Sequence, residues 1–162
     1  MNIIRKLPAD AWYPIRDPKH FYAAIRSDVE LLQKHRAYVS LATIIVCCLD
    51  AIAAGPKKAT RGTFEGFVKH NFPDLVKEIE CECPGKKGAA ILYDGFRNGF
   101  AHLRTPKPTF AIAEEHELEG RWAGHLEIPG TVPLLALNVD RLAREFLIVL
   151  ERLEADEKNG RP

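Results

Sequence analysis

One segment of the sequence, residues 92–102, combines chemically active side chains with an apolar helical pattern. It reads LYDGFRNGFAH. The imidazole of His102 can exchange a proton near neutral pH, since histidine has an ordinary pKa of about 6.5. The guanidinium of Arg97 stays charged and can bind two oxygens of an anion with its planar fork. Asn98 and His102 lie four residues apart and Asp94 one turn before Asn98, so a helix would place these groups along one strip.

Two glycines four residues apart interrupt the same segment. Gly95 and Gly99 each weaken a helix by about 1 kcal/mol relative to alanine. Such a cost is accepted where another backbone or a ligand must come close to the helix axis. We therefore predict a close approach at this face, as at a helix–helix contact between two copies of the chain.

The first half of the chain has the spacing of two long helices. Asp17-Pro18 places a capping carboxylate before a proline and predicts a helix that runs to about His35. Residues 37–54 are apolar on most sides and end at Gly55-Pro56, which predicts a buried, central second helix. Asp50 is the one charged residue within it.

Four further helical segments are predicted. Apolar positions on either side of Pro73 predict two short helices, one that ends before this proline and one that begins after it. The apolar spacing over residues 86–103 predicts the helix that carries the polar strip, here called the motif helix. Asn138 is the expected N-cap of a long final helix, and residues 158–162 form an expected frayed tail.

Alternating residues predict a small β element before the final helix. The segments 109–113 and 121–128 are expected to be strands joined as a β-hairpin across residues 114–120, with Trp122 in the hairpin core. The predicted fold class is therefore mainly α: an up-and-down bundle of four or five helices with a β-hairpin over about residues 109–128 inserted before the last helix. All 162 residues are assigned to a single domain.

Residues 97–102, RNGFAH, resemble the motif of the HEPN superfamily, the higher eukaryotes and prokaryotes nucleotide-binding domains. These are helical bundles marked by an arginine, a polar residue directly after it and a histidine four to six positions beyond the arginine. The order of the predicted helices over residues 17–156 is also similar to the family's plan, in which the motif lies on a late helix before a loop and a final long helix. The hairpin is a departure from that plan.

The resemblance implies metal-independent cleavage of RNA, in which the ribose 2′-hydroxyl attacks the adjacent phosphate and leaves a cyclic phosphate end. It implies that His102 is the acid or base, that Arg97 neutralises charge on the pentacoordinate phosphorus, and that Asn98 orients phosphate or imidazole. It also implies a homodimer whose motif helices face one another, and a defence or toxin system with a cognate antitoxin protein. No cofactor is expected. The residues expected to contact the RNA or nucleotide are Tyr93, Asp94, Arg104 and Lys107.

Ordinary structural roles are open to the same residues. Arg97 can pair with Asp94 three residues earlier on the helix. His102 can stand at the helix C-terminus, where a cation meets the negative end of the helix dipole. The alternative function is a bundle without catalytic activity that binds a nucleotide or a protein partner through the same groove.

The four cysteines do not predict a metal site. Cys81 and Cys83 are separated by one residue, which is closer than the usual spacing in zinc sites, and no second pair follows. Cys47 and Cys48 lie in the apolar run, where a free cysteine behaves as a small hydrophobic residue. No metal is therefore expected.

Composition limits the classes of protein and partner. A hydrophobic share of 46% excludes a wholly disordered chain, and 23 basic against 22 acidic residues exclude binding of a long nucleic acid by net charge alone. Binding of RNA would therefore need a local patch of basic residues on the surface. The alternative is that the basic residues are scattered over the surface and solvated. The basic residues concerned are Lys57, Lys58, Arg61, Lys86, Lys87, Arg104 and Lys107. The N-terminus lacks the apolar stretch of a secretory signal and no apolar run has membrane-spanning length, so we expect a cytoplasmic protein without a membrane partner.

Overall fold

Helices make up most of the described part of residues 18–82, as the sequence predicts. The computed structural model describes residues 18–55, 58–103 and 106–159. The first four helices of these ranges are α1 (Pro18–Lys34), α2 (Tyr38–Ala54), α3 (Arg61–Asn71) and α4 (Pro73–Glu82). Their predicted positions are confirmed, whereas the predicted cap at Asp17 lies outside the described residues.

Local signals explain where these helices begin and end. Gly55 ends α2 with a φ of 56°, in the left-handed region that glycine tolerates. Thr60 caps α3 by accepting from the backbone N–H of Thr63, whose hydroxyl accepts from the backbone N–H of Thr60 in return. Pro73 stands at the first turn of α4, where a missing N–H costs nothing.

The motif helix, residues 88–103, is not a regular α-helix. It consists of α5 (Gly88–Ile91), a turn of π-helix (Leu92–Arg97) and α6 (Asn98–Leu103). The backbone N–H of Asn98 donates to the carbonyl of Tyr93, five residues back rather than four. The sequence therefore predicted the helix but not its π turn, which changes the direction of every side chain in the motif.

Three strands, not two, precede the last helix. They are β1 (Phe110–Ala113), β2 (Ala123–Leu126) and β3 (Leu134–Asn138), in the sheet order β1-β3-β2. β3 pairs in parallel with β1 and antiparallel with β2. The predicted hairpin between residues 109–113 and 121–128 is wrong, since β3 lies between those strands and residues 115–118 form a turn of 3-10 helix. β3 is buried along most of its length, so it lacks the alternating pattern that marks a half-exposed strand.

The sheet is attached to α4 by hydrogen bonds and packing. A carboxylate oxygen of Glu78 accepts from the backbone N–H groups of Trp122 and Ala123 at 2.8 and 3.2 Å. The Trp122 ring is buried edge-to-face against Phe72, with ring centroids 6.4 Å apart. Trp122 therefore belongs to the helical core and not to the core of a hairpin.

The final helix, α7 (Val139–Lys158), follows β3 directly. The predicted cap is confirmed, because the side-chain oxygen of Asn138 accepts from the backbone N–H of Arg141 at 2.9 Å. The amide of Asn138 also donates to the carbonyl of Arg121 at 2.8 Å. Asn138 is completely buried, and these bonds satisfy it. Of the predicted tail, residues 160–162 lie outside the described residues.

A main hydrophobic core joins these elements, and a second, smaller cluster consists of Ala113, Leu118 and Ala136. The largest fully buried side chains of the main core include Phe64, Phe96, Phe100 and Phe146, from α3, the motif helix and α7. α2 contacts α1, α3, α7 and the motif helix, which confirms its central place. The prediction that α2 is buried is wrong for one face, where Val39 is 51% exposed and Cys47 is also exposed.

The protein is thus mainly helical with a small three-stranded sheet. Among the helices of the described ranges, none is sufficiently long and apolar to cross a lipid bilayer.

Candidate functional site

The guanidinium of Arg97 is held between the motif helix and α2. Nε and Nη2 donate to Oδ2 of Asp50 at 3.2 and 2.6 Å, and Nη1 donates to the side-chain oxygen of Asn98 at 2.9 Å. The side chains of Arg97 and Asp50 are only 20% and 13% exposed. The alternative pairing of Arg97 with Asp94 is wrong, because the packing of α2 on the motif helix brings Asp50 to the guanidinium instead.

These bonds fix Arg97 and still leave part of it open. A guanidinium has five N–H groups, and three of those of Arg97 are engaged by Asp50 and Asn98. The other two have no partner in the part of the chain that the structure describes. Hydrogen bonding to Asp50 raises the pKa of Arg97 above its usual value, so the group is always charged. The arrangement can offer two N–H donors to an oxyanion.

A second arginine also contacts Tyr93. The guanidinium carbons of Arg97 and Arg61 are 5.2 and 5.7 Å from the centroid of the Tyr93 ring. The buried ring of Phe64 meets Tyr93 edge-on, with centroids 5.5 Å apart. Because Phe64 fixes this ring, Tyr93 is a rigid contact that the two cations share.

Asp94 pairs with Arg61 and not with the other motif residues. Its Oδ1 accepts from Nη1 of Arg61 at 3.2 Å, and its Oδ2 lies 3.0 Å from Nη2. Nε of Arg61 donates to Glu65, one turn along α3, at 2.6 Å. The predicted strip of four polar groups is therefore divided: Arg97 and Asn98 contact one another beside α2, and Asp94 faces α3.

His102 is exposed in the last turn of the motif helix, five residues after Arg97. Within residues 18–55, 58–103 and 106–159, its ring has no hydrogen-bond or ion-pair partner. Asn98 precedes it by four residues on α6, so these two side chains share a face. The imidazole is thus open to solvent. Its position near the helix C-terminus also fits the alternative role, in which a cationic histidine meets the negative end of the helix dipole.

The segment after the motif helix returns to the π turn. The backbone N–H of Lys107 donates to the carbonyl of Gly95 at 3.1 Å. This bond places Lys107 beside the motif helix, as a residue that contacts substrate would require. Arg104, the other basic residue predicted to contact the substrate, lies outside the described residues.

The close approach predicted at the glycines occurs within one chain. A Cβ at Gly95 would lie 2.6 Å from ring carbons of Phe110 in β1. Gly99 is buried in the same protein. At Gly95 the expectation of a contact between two copies is therefore wrong, since the Phe110 ring of the same chain fills that space.

Two residues of this site were not singled out from the sequence. Asp50 carried a usable signal, because a charge within an apolar helix requires a partner when it is buried. Arg61 was considered only as part of a basic patch. Both are brought to the motif helix by tertiary packing, Asp50 from α2 and Arg61 from α3.

The carboxylates of the site outnumber its arginines, although its free donors suit an anion. The two arginines face three carboxylates, those of Asp50, Glu65 and Asp94. Across the described residues, no group of three or more His, Cys, Asp or Glu side chains is placed to hold a metal ion, and all four cysteines are free. Comparisons with models of protein families, with curated proteins and with solved structures find no match to this chain. The chemical groups that the site offers are guanidinium N–H donors and an exposed imidazole.

Proposed function

We propose that this protein is a metal-independent endoribonuclease of the HEPN kind, with Arg97, Asn98 and His102 as its catalytic residues. One observation carries the proposal. The Arg97 guanidinium is fixed by Asp50 and Asn98 with two N–H groups left over, and the exposed His102 follows on the next turns of the same helix. A fixed cation and an accessible imidazole are the two groups that phosphodiester cleavage by the 2′-hydroxyl needs.

The proposed reaction uses a proton transfer at each end of the phosphate. A base takes the proton from the ribose 2′-hydroxyl as its oxygen forms a bond to phosphorus. The bond from phosphorus to the 5′-oxygen breaks, and an acid gives that oxygen a proton. The products are a 2′,3′-cyclic phosphate and a 5′-hydroxyl end. His102 supplies the base or the acid, Arg97 binds the non-bridging oxygens, and Asp50 positions Arg97.

We further propose that two copies of an up-and-down bundle combine their motif helices in one cleft. A second copy would supply the second imidazole, so that one His102 acts as base and the other as acid. The exposed face of α2, with Val39 and Cys47, is an apolar surface that a second copy would cover. Cys47 lies three residues before Asp50 on α2, and Asp50 binds Arg97, so this face adjoins the site. A toxin role with a cognate antitoxin remains part of this proposal.

The second candidate is a bundle that binds a nucleotide or a protein without catalysis. The excess of carboxylates over arginines at the site favours it. Asp50 already neutralises Arg97, and Glu65 and Asp94 more than neutralise Arg61. A site of this kind gives little long-range attraction to RNA.

The test is cleavage of single-stranded RNA by purified protein in the presence of a chelator. We expect Arg97→Ala and His102→Ala each to reduce the rate by at least about 100-fold, the usual range for loss of acid–base or oxyanion groups. Matched controls are Arg144→Ala and His116→Ala, which remove an exposed arginine and an exposed histidine elsewhere. The controls should cleave at the wild-type rate, and the product should carry a cyclic phosphate.

Two results would contradict the nuclease proposal. Equal cleavage by the wild type and by folded Arg97→Ala and His102→Ala variants would identify a contaminating nuclease. Binding of a nucleotide or oligonucleotide without cleavage would favour the second candidate. Circular dichroism and the thermal midpoint of each variant confirm that it is folded.

A further inference from the structure

Two guanidinium groups lie close enough to bind one nucleic-acid strand together. Those of Arg61 and Arg97 both lie within 6 Å of the Tyr93 ring centroid, so their central carbons are at most about 11 Å apart. They come from different helices, α3 and the motif helix. A separation within this limit allows each arginine to bind one of two neighbouring phosphates of a strand.

The two arginines differ in how firmly their carboxylates are held. The pair of Arg61 with Asp94 is 51% and 46% exposed, whereas that of Arg97 with Asp50 is 20% and 13% exposed. Ion pairs at the surface contribute little to stability, because water screens them. Asp94 can therefore leave Arg61 at small cost, while Asp50 stays with Arg97.

The geometry of Asp94 on Arg61 is that of a bound anion. One oxygen accepts from Nη1 and the other lies 3.0 Å from Nη2, so Asp94 covers the outer edge of the guanidinium, as two phosphate oxygens would. Glu65 holds the inner nitrogen, Nε, at 2.6 Å. If Asp94 leaves, Glu65 still keeps the guanidinium oriented toward the motif helix.

The position of Arg61 on α3 also favours an anion. It is the first residue of this 11-residue helix, whose first turn carries no acidic side chain. A basic residue there meets the positive end of the helix dipole, an unfavourable arrangement that a bound anion would offset. This observation supports the exchange of Asp94 for a phosphate.

We infer that Arg61 binds the phosphate next to the one at Arg97, and that Asp94 occupies this position in the free protein. The inference rests on the proposed function and names its substrate as a strand with at least two successive phosphates. Asp94 then competes with the substrate for Arg61, whereas the sequence predicts that Asp94 contacts the substrate. Removing Asp94 should strengthen binding, whereas removing Arg61 should weaken it.

The experiment measures binding without cleavage. The ligands are 2′-deoxythymidine oligomers with one or two phosphodiester groups, which lack the attacking hydroxyl, and calorimetry gives their Kd values. Wild-type protein should bind the two-phosphate ligand about tenfold more tightly than the one-phosphate ligand, as one charge-assisted contact provides. Arg61→Ala should abolish this advantage. Asp94→Asn should tighten binding of the two-phosphate ligand about threefold.

A second exposed pair provides matched controls. Arg144 and Glu115 are 47% and 45% exposed and are joined by two hydrogen bonds, of 2.7 and 2.6 Å. Arg144→Ala and Glu115→Gln therefore remove the same kinds of charge from the same kind of pair at another place. Both controls should bind the two ligands as the wild type does.

The failures of the two proposals are distinguishable. A wild type that does not cleave RNA but shows the Arg61-dependent advantage would contradict the nuclease and support the Arg61 site. A wild type that cleaves RNA while Arg61→Ala keeps the full advantage would contradict the Arg61 site alone. The Arg61 site is also contradicted if the wild type binds the two-phosphate ligand no more tightly than the one-phosphate ligand. If Arg61→Ala does not fold, Asp94→Asn decides whether the Arg61 site exists, because this variant should bind the two-phosphate ligand more tightly than the wild type does.

Discussion

Arg97 and Asp50 lie 47 residues apart in the sequence and form a half-buried ion pair between the motif helix and α2, with donor–acceptor distances of 3.2 and 2.6 Å. Only Oδ2 of Asp50 accepts these two hydrogen bonds. Oδ1 is buried and accepts no hydrogen bond from the residues that the structure describes. The carboxylate is therefore desolvated on one side, and the adjacent guanidinium compensates for this cost.

This pair should show strong coupling in a double-mutant cycle. We expect Asp50→Ala to lower the free energy of unfolding by about 2–3 kcal/mol, because it leaves the Arg97 charge half-buried without a partner. Asp50→Ala combined with Arg97→Ala should cost about 1–2 kcal/mol less than the two single changes added together. Urea unfolding measures all four proteins.

The same cycle on Arg144 and Glu115 is the control for that measurement. This pair is exposed, so its coupling should stay below about 1 kcal/mol. Additive effects at Asp50 and Arg97 would show that the half-buried pair does not hold the two helices together.

Gly95 should be essential for packing, in contrast to another helical glycine. A Cβ at Gly95 would meet the Phe110 ring at 2.6 Å, so we expect Gly95→Ala to destabilise the protein by about 1–3 kcal/mol. Gly66 lies in α3 with nothing within 4 Å of its Cβ position, and Gly66→Ala should stabilise by up to about 1 kcal/mol. Thermal and urea unfolding compare the two variants. A neutral Gly95→Ala would mean that Phe110 moves aside freely.

Cys48 should make the protein less stable at alkaline pH. Burial, followed by the charges of Cys47 and Asp28, raises the pKa of the Cys48 thiol to about 11. The unfolded chain loses this proton near pH 9, so the stabilising contribution is complete below that pH. It falls as the pH rises from about 9 to about 11, by at most about 2–3 kcal/mol.

The measurement is urea unfolding at pH 8 and at pH 10.5 for the wild type and for Cys48→Ala. The wild type should lose more stability between the two pH values than the variant does. Other alkaline groups, such as Tyr22, titrate in both proteins and cancel in the difference. An equal loss in both proteins would contradict the assignment to Cys48.

If two copies share one cleft, inactive variants should complement one another. A dimer of Arg97→Ala with His102→Ala retains one intact arginine and one intact histidine at the shared site. We therefore expect the mixture to cleave RNA faster than either variant alone, with sedimentation at micromolar concentration showing a dimer. Full activity of a strict monomer would contradict the shared cleft.

The sequence predicted the helices because their boundaries depend on interactions within one turn. Gly55, Pro73 and Asn138 each act on the backbone next to them, whatever the rest of the chain does. The order of the strands depends on residues 134–138, which pair with both other strands and are buried along most of their length. A buried strand has no alternation, so its pairing could not be read from the local pattern.

The site could be predicted only where its residues are close in sequence. Asn98 contacts Arg97, its neighbour in the motif. Asp50 and Arg61 reach the motif through packing of α2 and α3, and no local pattern specifies which carboxylate meets which arginine. The π turn was equally hidden, since over six residues its periodicity is hard to distinguish from that of an α-helix. The catalytic roles remain predictions.

The π turn over residues 92–97 accommodates one residue more than an α-helical turn does. A gene that lost a single codon here would therefore encode a chain able to continue as an unbroken α-helix whose later side chains keep their faces. Phe100 would stay in the core and His102 at the surface. The same loss within a regular α-helix rotates every later side chain by about 100° around the axis. One codon lost here would therefore damage the protein less than one lost from α2.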